Sequence, residues 1–222
     1  LSEGTLSAGG SALDIEFGLD SRGVAHLFQV RRIALARNWH PVTERRVHRQ
    51  LAQAERFIEQ VSLPRPGILG ARTILAVMPD WNPAEIIGTA PRPLAASLYR
   101  HLITERVWGR ARARMGYRDT GAVELMVTIN HHPYIDVRNS FNSFLPAALP
   151  DDIGNRLVDA WLRRLEDHPE FHDKVEFEIV PACLDFCFAT VFPDRYPGLL
   201  PPDGLAGYLE SLRRLTLDSL LP

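Results

Sequence analysis

Alternation of apolar and polar residues marks the first part of the chain. Residues 12–19 alternate, 20–23 have the composition of a turn, and 24–30 are again strand-like. Two strand-like segments on either side of a short turn are typical of a β-hairpin. The pattern therefore predicts a hairpin over 12–30, preceded by a Gly/Ser-rich boundary or loop.

A helical period follows the hairpin. Pro41 opens a polar stretch that runs to about Val61, and four apolar residues recur on one face: Leu51, Ala54, Phe57 and Ile58. This spacing predicts a helix over 41–61. Prolines and glycines at 64–70 then interrupt the pattern, which predicts a domain boundary there.

Strands and helices alternate without an internal repeat beyond residue 70. The pattern predicts strands at 73–77, 124–129 and 176–188, one or two extended segments at 134–144, and helices at 82–88, 93–115, 151–166 and 205–217. Four residues supply an apolar stripe to the 93–115 helix: Leu94, Leu98, Leu102 and Val107.

The chain is therefore predicted to have an α/β (mixed α+β) fold, with a terminal hairpin, a linking helix and a mixed-sheet domain with flanking helices. We expect the hairpin region at 1–36, the helical linker at 37–70 and an α/β domain at 71–222.

Composition narrows the class of protein. The 222 residues are 45% hydrophobic and 23% charged, with a net charge of −2. A chain of this kind can bury a full core, and it lacks the basic excess of general nucleic-acid or anionic-membrane binders. No apolar run approaches the roughly 20 residues that cross a bilayer, and residues 1–5 lack the pattern of an export signal. We therefore expect a cytoplasmic protein without nucleic-acid or membrane partners.

Cysteine and lysine are scarce. Cys183 and Cys187 lie four residues apart in the predicted strand at 176–188, about 13 Å apart along one face, which is too far for a disulfide. We expect two buried, reduced thiols. The only lysine, Lys174, lies in a charged stretch and is expected to face solvent, and no Walker A motif is present.

The hairpin carries the most informative chemistry. Asp14 and Glu16 lie on its first strand, and Gln29 and Arg31 on its second. Glu16 and Gln29 are thirteen residues apart, a spacing that a short turn can bring opposite each other. Carboxylate and amide oxygens suit Mg²⁺, and an arginine beside them suits phosphate. The alternative from spacing alone is a surface hairpin with one face in water.

These same residues resemble a known family. Asp14-Ile15-Glu16-Phe17 and Leu27-Phe28-Gln29-Val30-Arg31 resemble the end of the ATP-grasp domain of the phosphoenolpyruvate synthase and pyruvate phosphate dikinase family. The resemblance implies that Glu16 is a magnesium ligand, that Gln29 lies beside the metal and the phosphates of ATP, and that Arg31 contacts phosphate.

Later segments extend the resemblance over most of the chain. Segments 78–88, 91–94, 97–99, 133–138 and 140–144 are similar to the region that follows ATP-grasp in a bacterial branch of phosphoenolpyruvate synthase-like proteins. These segments support membership of the family but say little about a mechanism, because the resemblance implies no catalytic role for them.

The sequence also departs from the family. It contains neither the Gly-rich Thr-x-His loop of the swivelling phosphohistidine domain, nor a barrel-length stretch, nor the upstream half of ATP-grasp. We therefore expect a fragment of a phosphotransferase that uses Mg-ATP to phosphorylate a histidine elsewhere in its parent and then pyruvate. Its expected partners are the remaining parent domains: the upstream ATP-grasp half, the phosphohistidine domain and the barrel that binds phosphoenolpyruvate. A homo-oligomer is compatible with this view.

Other candidate sites are weaker. His168 and His172 have a zinc-chelating spacing, but Pro169 interrupts a helix between them, so a polar loop is favoured. Residues 131–133 have the composition of a turn. Ser140 and Ser143 lie outside any Gly-x-Ser-x-Gly elbow.

Two arginines, Arg92 and Arg138, are candidates to face a substrate, although a solvated surface is the simpler interpretation of the helical arginines. Two further hypotheses stay open. The 71–222 region is a non-catalytic interaction or spacer module, or the chain is a self-contained metal-dependent enzyme that uses the histidines at 168 and 172.

Overall fold

The mixed α+β class predicted from the sequence is confirmed by a computed structural model that describes residues 13–32, 41–180, 184 and 187–220. The strands are β1 (Leu13–Leu19), β2 (Ala25–Arg32), β3 (Leu75–Ala76), β4 (Met126–Ile129) and β5 (His132–Asp136). The helices are α1 (Pro41–Ser62), α2 (Pro83–Ile86), α3 (Pro93–Tyr99), α4 (Val107–Arg114), α5 (Val137–Asn142), α6 (Asp151–Asp167), α7 (Glu176–Ile179), α8 (Phe188–Arg195) and α9 (Pro202–Leu220).

The chain divides into two compact units, Leu1–His48 and Arg49–Pro222, and the division falls within α1. In the first unit, β1 and β2 form a two-stranded antiparallel sheet. The 64–70 segment, where the sequence predicts a boundary, belongs to the second unit, and Ile68 and Leu69 are buried there. The division at 36 and 70 remains a prediction.

A three-stranded antiparallel sheet in the order β3-β5-β4 supports the second unit. Asn130 and His131 join β4 to β5, and both have positive φ, of 48° and 69°. A two-residue hairpin connection of the favoured twist needs this left-handed backbone. The turn predicted at 131–133 is therefore present, displaced by one residue.

The core of the second unit is built around α6. Its apolar residues recur at the spacing predicted from the sequence, and all of them are buried: Ile153, Leu157, Trp161 and Leu165. Trp161 meets Phe141 of α5 edge-on, with ring centres 6.0 Å apart. Tyr208 and Leu212 of α9 join the same core. The strong helical period of α6 thus fixes where the other elements pack.

The prediction of extended structure over 134–144 is wrong beyond Asp136. The Asp136 carboxylate accepts a hydrogen bond from the backbone N–H of Asn139 at 3.3 Å, so it caps a helix and ends β5. The helix that follows, α5, is buried along its whole length although it contains arginine, asparagine and serine.

The strand predicted at 176–188 is also wrong, because the chain forms α7 and then α8. Val175 and Ile179 are both buried, whereas Phe177 between them is 88% exposed. Residues four apart share the face of a helix, and alternate residues would share the face of a strand. Cys187 is exposed at the start of α8, contrary to the expected buried thiol. Cys183 lies outside the described residues.

The helix predicted at 93–115 is present in three pieces. A π-helical segment, Arg100–Thr104, follows α3, and Arg106 with φ of −146° separates it from α4. The inner face carries Tyr99 and Thr104, both buried. The predicted apolar stripe of leucines therefore lies on the outer face.

No helix in the described ranges is long and apolar enough to cross a membrane.

Candidate functional site

The turn of the β1–β2 hairpin is fixed by one aspartate. Asp20 Oδ1 accepts hydrogen bonds from the backbone N–H groups of Arg22 at 2.9 Å and Val24 at 3.0 Å. The bond from Val24, then the His26 side chain and the bond from Arg22, hold the pKa of Asp20 below its ordinary value. Gly23 takes the positive φ of 78° that the turn requires. This turn sets the register of both strands.

The register brings the predicted metal and amide ligands together. Glu16 lies directly opposite Gln29, and Asp14 directly opposite Arg31. Because alternate residues of a strand share one face, these four side chains lie on the same side of the sheet. The pairing expected from the thirteen-residue spacing is therefore confirmed.

Arg31 connects the two carboxylates of this face. Its Nε donates to Asp14 Oδ2 at 2.5 Å, and its Nη2 lies 3.9 Å from Glu16 Oε1. All three side chains remain between 40% and 60% exposed. Asp14 thus holds the guanidinium in place while Glu16 and Gln29 keep their oxygen atoms open to solvent. We call Asp14, Glu16, Gln29 and Arg31 the polar face of the hairpin.

A β-bulge lies next to these ligands. Glu16 pairs with Gln29 but Phe17 pairs with Leu27, so Phe28 is the extra residue on β2. The Phe28 ring covers Gly18, where a Cβ atom would lie 2.8 Å from the ring. A side chain at position 18 would displace the Phe28 ring, which is 72% exposed, and the bulge separates the polar face from the turn.

The opposite face of the hairpin is apolar and open. Its exposed side chains are Leu13, Ile15, Phe17, Leu19, Leu27 and Val30, each at least 47% exposed. Alternation of side chains gives the sheet one polar and one apolar face. Because a two-stranded sheet has no core of its own, the apolar face stays exposed.

The polar face offers oxygen ligands to a cation but not a complete cage. Mg²⁺ usually takes one or two carboxylates from a protein and completes its octahedron with water and substrate phosphates. Glu16 and Gln29 fit that requirement. Among the residues the structure describes, no group of three or more His, Cys, Asp or Glu side chains forms a metal site.

The two histidines with zinc-chelating spacing, His168 and His172, each bond within their own turn. His168 Nδ1 lies 3.1 Å from Glu170 Oε1, and His172 Nδ1 lies 2.8 Å from the carbonyl oxygen of Pro169. Each ring thus has its own partner in the 3₁₀ turn at Pro169–Phe171. The predicted polar loop is the better description, and the zinc-enzyme hypothesis finds no metal cluster in the described chain. Lys174 is exposed and paired with Asp173, as expected.

Arg138 does not face a substrate. It is fully buried, and its guanidinium donates to the carbonyl oxygens of Val61 at 2.8 Å, Leu63 at 3.0 Å and Ser62 at 3.3 Å. These carbonyls lie at the end of α1, where a helix leaves acceptors unsatisfied. The role of Arg138 is therefore to close this helix. Arg92, by contrast, is exposed at the start of α3.

A buried polar network escapes prediction from the sequence. Asp80 forms a bidentate ion pair with Arg112, with one bond of 2.9 Å from Nη1 to Oδ2, and its Oδ2 accepts a hydrogen bond from Ser140 Oγ at 2.6 Å. Arg112 Nη1 also donates to Ser143 Oγ at 2.6 Å, and its guanidinium lies 4.0 Å from the centre of the Phe144 ring. Ser140 and Ser143 thus serve this network and not a hydrolase elbow.

The loop around Asp80 is held from a second side. Asp80 has a φ of 59°, and its backbone N–H donates to a carboxylate oxygen of Glu176. Burial raises the pKa of Glu176. The only sequence signal for this loop is the Asn82-Pro83 start of α2, where Asn82 Oδ1 accepts a hydrogen bond from the N–H of Glu85 at 3.1 Å.

Comparison of the chain with protein families, with curated proteins and with solved structures finds no match in any of the three. The class that the fold and the polar face define is thus a mixed α+β protein with an exposed carboxylate–amide–guanidinium hairpin.

Proposed function

We propose that the polar face of the hairpin binds Mg²⁺ and the phosphates of ATP in a phosphotransferase that resembles phosphoenolpyruvate synthase. The observation that carries this proposal is the register that sets Glu16 opposite Gln29, with Arg31 anchored by Asp14 at 2.5 Å. The arrangement supplies hard oxygen ligands and a fixed phosphate contact within one side-chain length of each other.

Each residue has a defined role in this proposal. Glu16 and Gln29 hold Mg²⁺ through carboxylate and amide oxygens, and Arg31 neutralises phosphate charge. Bound Mg²⁺ would supply charge neutralisation and orientation of the phosphates. Asp14 anchors the Arg31 guanidinium through its Nε at 2.5 Å. The parent enzyme would pass the phosphoryl group to a histidine on another domain and from there to pyruvate.

The proposal requires further protein parts. Positioning of donor and acceptor accounts for most of the catalysis in phosphoryl transfer, and one hairpin does not supply it. We propose that an upstream ATP-grasp half, a phosphohistidine domain and a barrel that binds phosphoenolpyruvate act together with this chain. A cytoplasmic location follows from the proposed use of ATP and pyruvate.

Nucleotide binding tests the hairpin directly. We expect the fluorescence of MANT-ATP to rise on titration with this protein in the presence of Mg²⁺, and Glu16→Gln to weaken binding about tenfold, because a neutral amide replaces a metal-binding carboxylate. Arg31→Gln should weaken it by a similar factor. Glu55→Gln and Arg22→Gln, at exposed positions outside the polar face, serve as matched controls.

A metal readout complements the nucleotide titration. Mn²⁺ in place of Mg²⁺ should show a broadened electron paramagnetic resonance signal with the wild-type protein and ATP, and the free-ion signal with Glu16→Gln. Equal affinities of wild type and both polar-face variants would refute the proposed site. In the natural full-length protein, Glu16→Ala should abolish ATP-dependent histidine phosphorylation, and normal labelling would refute the phosphotransferase role.

A second candidate function applies to the 71–222 region, as a non-catalytic interaction or spacer module. The burial of three polar residues favours it. Asp136, Arg138 and Asn142 are fully buried, and each forms hydrogen bonds with other residues of the chain. In the natural full-length enzyme, Ser140→Ala should then lower the melting temperature but leave kcat per folded molecule unchanged. A loss of kcat without loss of folded protein would contradict the architectural role.

A further inference from the structure

The outer side of the α3–α4 region exposes an apolar stripe that a folded chain would ordinarily bury. Leu94 is 70% exposed, Leu98 49% and Leu102 60%, and Val107 at the start of α4 is 51% exposed. The three leucines are four residues apart, so they follow one line along the helix for about 12 Å. Contiguous exposed apolar surface of this kind marks an interaction site.

The helix has a separate inner face, so the leucines are not spare core residues. Tyr99 is 4% exposed, and its hydroxyl donates to the carbonyl oxygen of Trp81. Thr104 is fully buried, and its carbonyl oxygen accepts from the N–H of Leu125 at 2.9 Å. The inner face thus fixes the helix to the domain and leaves the leucine stripe on the outside.

Basic side chains flank the stripe at both ends. Residues 92–115 contain six arginines and one glutamate, a formal charge of +5 in a chain whose total is −2. Arg100 is neutralised by Glu124 at 2.6 Å and Arg112 by Asp80. Arg92 before the stripe, and Arg106 and Arg110 after it, are exposed. Across the described ranges, none of these three lies within 4.0 Å of a carboxylate.

We propose that this Leu–Arg face, formed by Leu94, Leu98, Leu102, Val107, Arg92, Arg106 and Arg110, binds an acidic amphipathic helix of a protein partner. The line of leucines matches the apolar stripe of a partner helix two turns long or more, and the arginines match carboxylates on its flanks. Burial of the leucines would supply affinity, and the arginines would supply orientation and association rate.

The width of the apolar surface favours a protein helix over an anionic membrane. The apolar surface is one side chain wide, whereas an interfacial helix buries a broad apolar face in the bilayer. A phosphate backbone would gain nothing from the leucines, which argues against nucleic acid.

A synthetic peptide tests the proposal with the full chain. The probe is a fluorescein-labelled peptide of about 18 residues with leucines at helical spacing on one face and glutamates beside them. We expect its fluorescence anisotropy to rise on titration with the protein. A scrambled peptide of the same composition should bind with an affinity lower by about tenfold or more, because its leucines and glutamates no longer fall on separate faces.

Variants separate the apolar from the charged contribution. Leu94→Gln, Leu98→Gln and Leu102→Gln combined should reduce affinity about tenfold or more at every salt concentration. Arg106→Gln with Arg110→Gln should reduce it several-fold at about 50 mM salt and hardly at about 300 mM, because screening already removes their effect there. Leu217→Gln, and Arg45→Gln with Arg49→Gln, are exposed matched controls and should bind as wild type.

Three results would overturn the inference. Equal binding of the ordered and scrambled peptides would mean that charge alone acts. Unchanged affinity in the triple leucine variant, with its circular dichroism spectrum intact, would place the contact elsewhere. Sedimentation of the protein with phosphatidylcholine–phosphatidylserine vesicles, without binding of the acidic peptide, would assign the face to a membrane.

Discussion

The guanidinium of Arg138 closes the end of α1 by donating from Nη2 to the carbonyl oxygen of Val61 at 2.8 Å. The two residues are 77 positions apart, so a side chain of α5 completes the hydrogen bonding of a helix that begins far upstream. Arg138 is fully buried, and desolvation lowers its pKa, while the nearby Asp136 carboxylate counteracts this effect. This contact joins the end of α1 to α5.

Arg138→Met tests the strength of that contact. Methionine fills similar space but leaves the carbonyls of Val61, Ser62 and Leu63 without their donor. We expect the free energy of unfolding to fall by about 3 kcal/mol, because buried acceptors lose a charged partner. Urea unfolding followed by circular dichroism measures the change. Arg49→Met, at an exposed position, is the control, and a loss of similar size there would remove the explanation.

The Asp80–Arg112 ion pair is tested by a double-mutant cycle. Asp80→Asn and Arg112→Gln should each cost about 3–5 kcal/mol, because each leaves a buried charge without its partner. The double variant should cost less than the sum of the two by about 1–3 kcal/mol. Chemical denaturation of all four proteins gives the coupling energy. Additive losses would mean that the pair makes no direct contribution.

Asp136 should make stability depend on pH. Burial raises its pKa above the ordinary 3.8, while the Thr73 hydroxyl and the Asn139 N–H oppose the shift. A carboxyl with a raised pKa binds its proton more tightly in the folded state, so its contribution to stability is complete below pH 3.8 and declines as pH rises through the folded-state value.

Asp136→Asn removes that titration. The variant should lose less stability than the wild type between about pH 4 and pH 7, since an amide carries no charge to desolvate. Urea unfolding at several pH values in that range gives both slopes. Parallel pH profiles would show that Asp136 titrates alike in the folded and unfolded chain.

Gly70→Ala tests the close approach of the 64–70 segment to α6. Gly70 has a φ of 97°, and an added Cβ would lie 2.7 Å from Val158 Cγ1. Backbone strain and overpacking act together here, so we expect a loss of about 2–4 kcal/mol in unfolding free energy. Gly67→Ala has a similar φ of 78° and open space, and should lose less. The difference between their melting temperatures isolates the steric part.

Local periodicity predicts the elements that have one strong pattern. The first hairpin strand and α6 follow from the sequence because alternate residues of a strand, and residues three or four apart on a helix, share one face. The opposition of Glu16 and Gln29 follows from the same alternation and a short turn. The helix at 41–62 is equally clear from its cap-side proline and amphipathic spacing.

Local periodicity does not predict the elements that depend on tertiary contacts. The extended pattern of residues 134–144 gives way to α5 because Asp136 caps it and its polar residues find partners from distant segments. The Asp80–Arg112 pair joins residues 32 apart, which no local pattern reveals. The stripe of leucines at 94–102 is visible in the sequence, but its outward orientation is not, because periodicity marks an apolar face and not what lies against it.

The 69–71 backbone has a consequence for hydrogen exchange. Leu69, Gly70 and Ala71 donate their N–H groups to side-chain oxygens of Asn142, Asn155 and Asp159, at 2.8, 2.9 and 2.9 Å. Loop amides usually exchange by small local openings, but these three are held by α5 and α6. Their deuterium uptake should therefore be slow and should follow the separation of those helices, so a segment without regular secondary structure becomes a reporter of the most stable part of the domain.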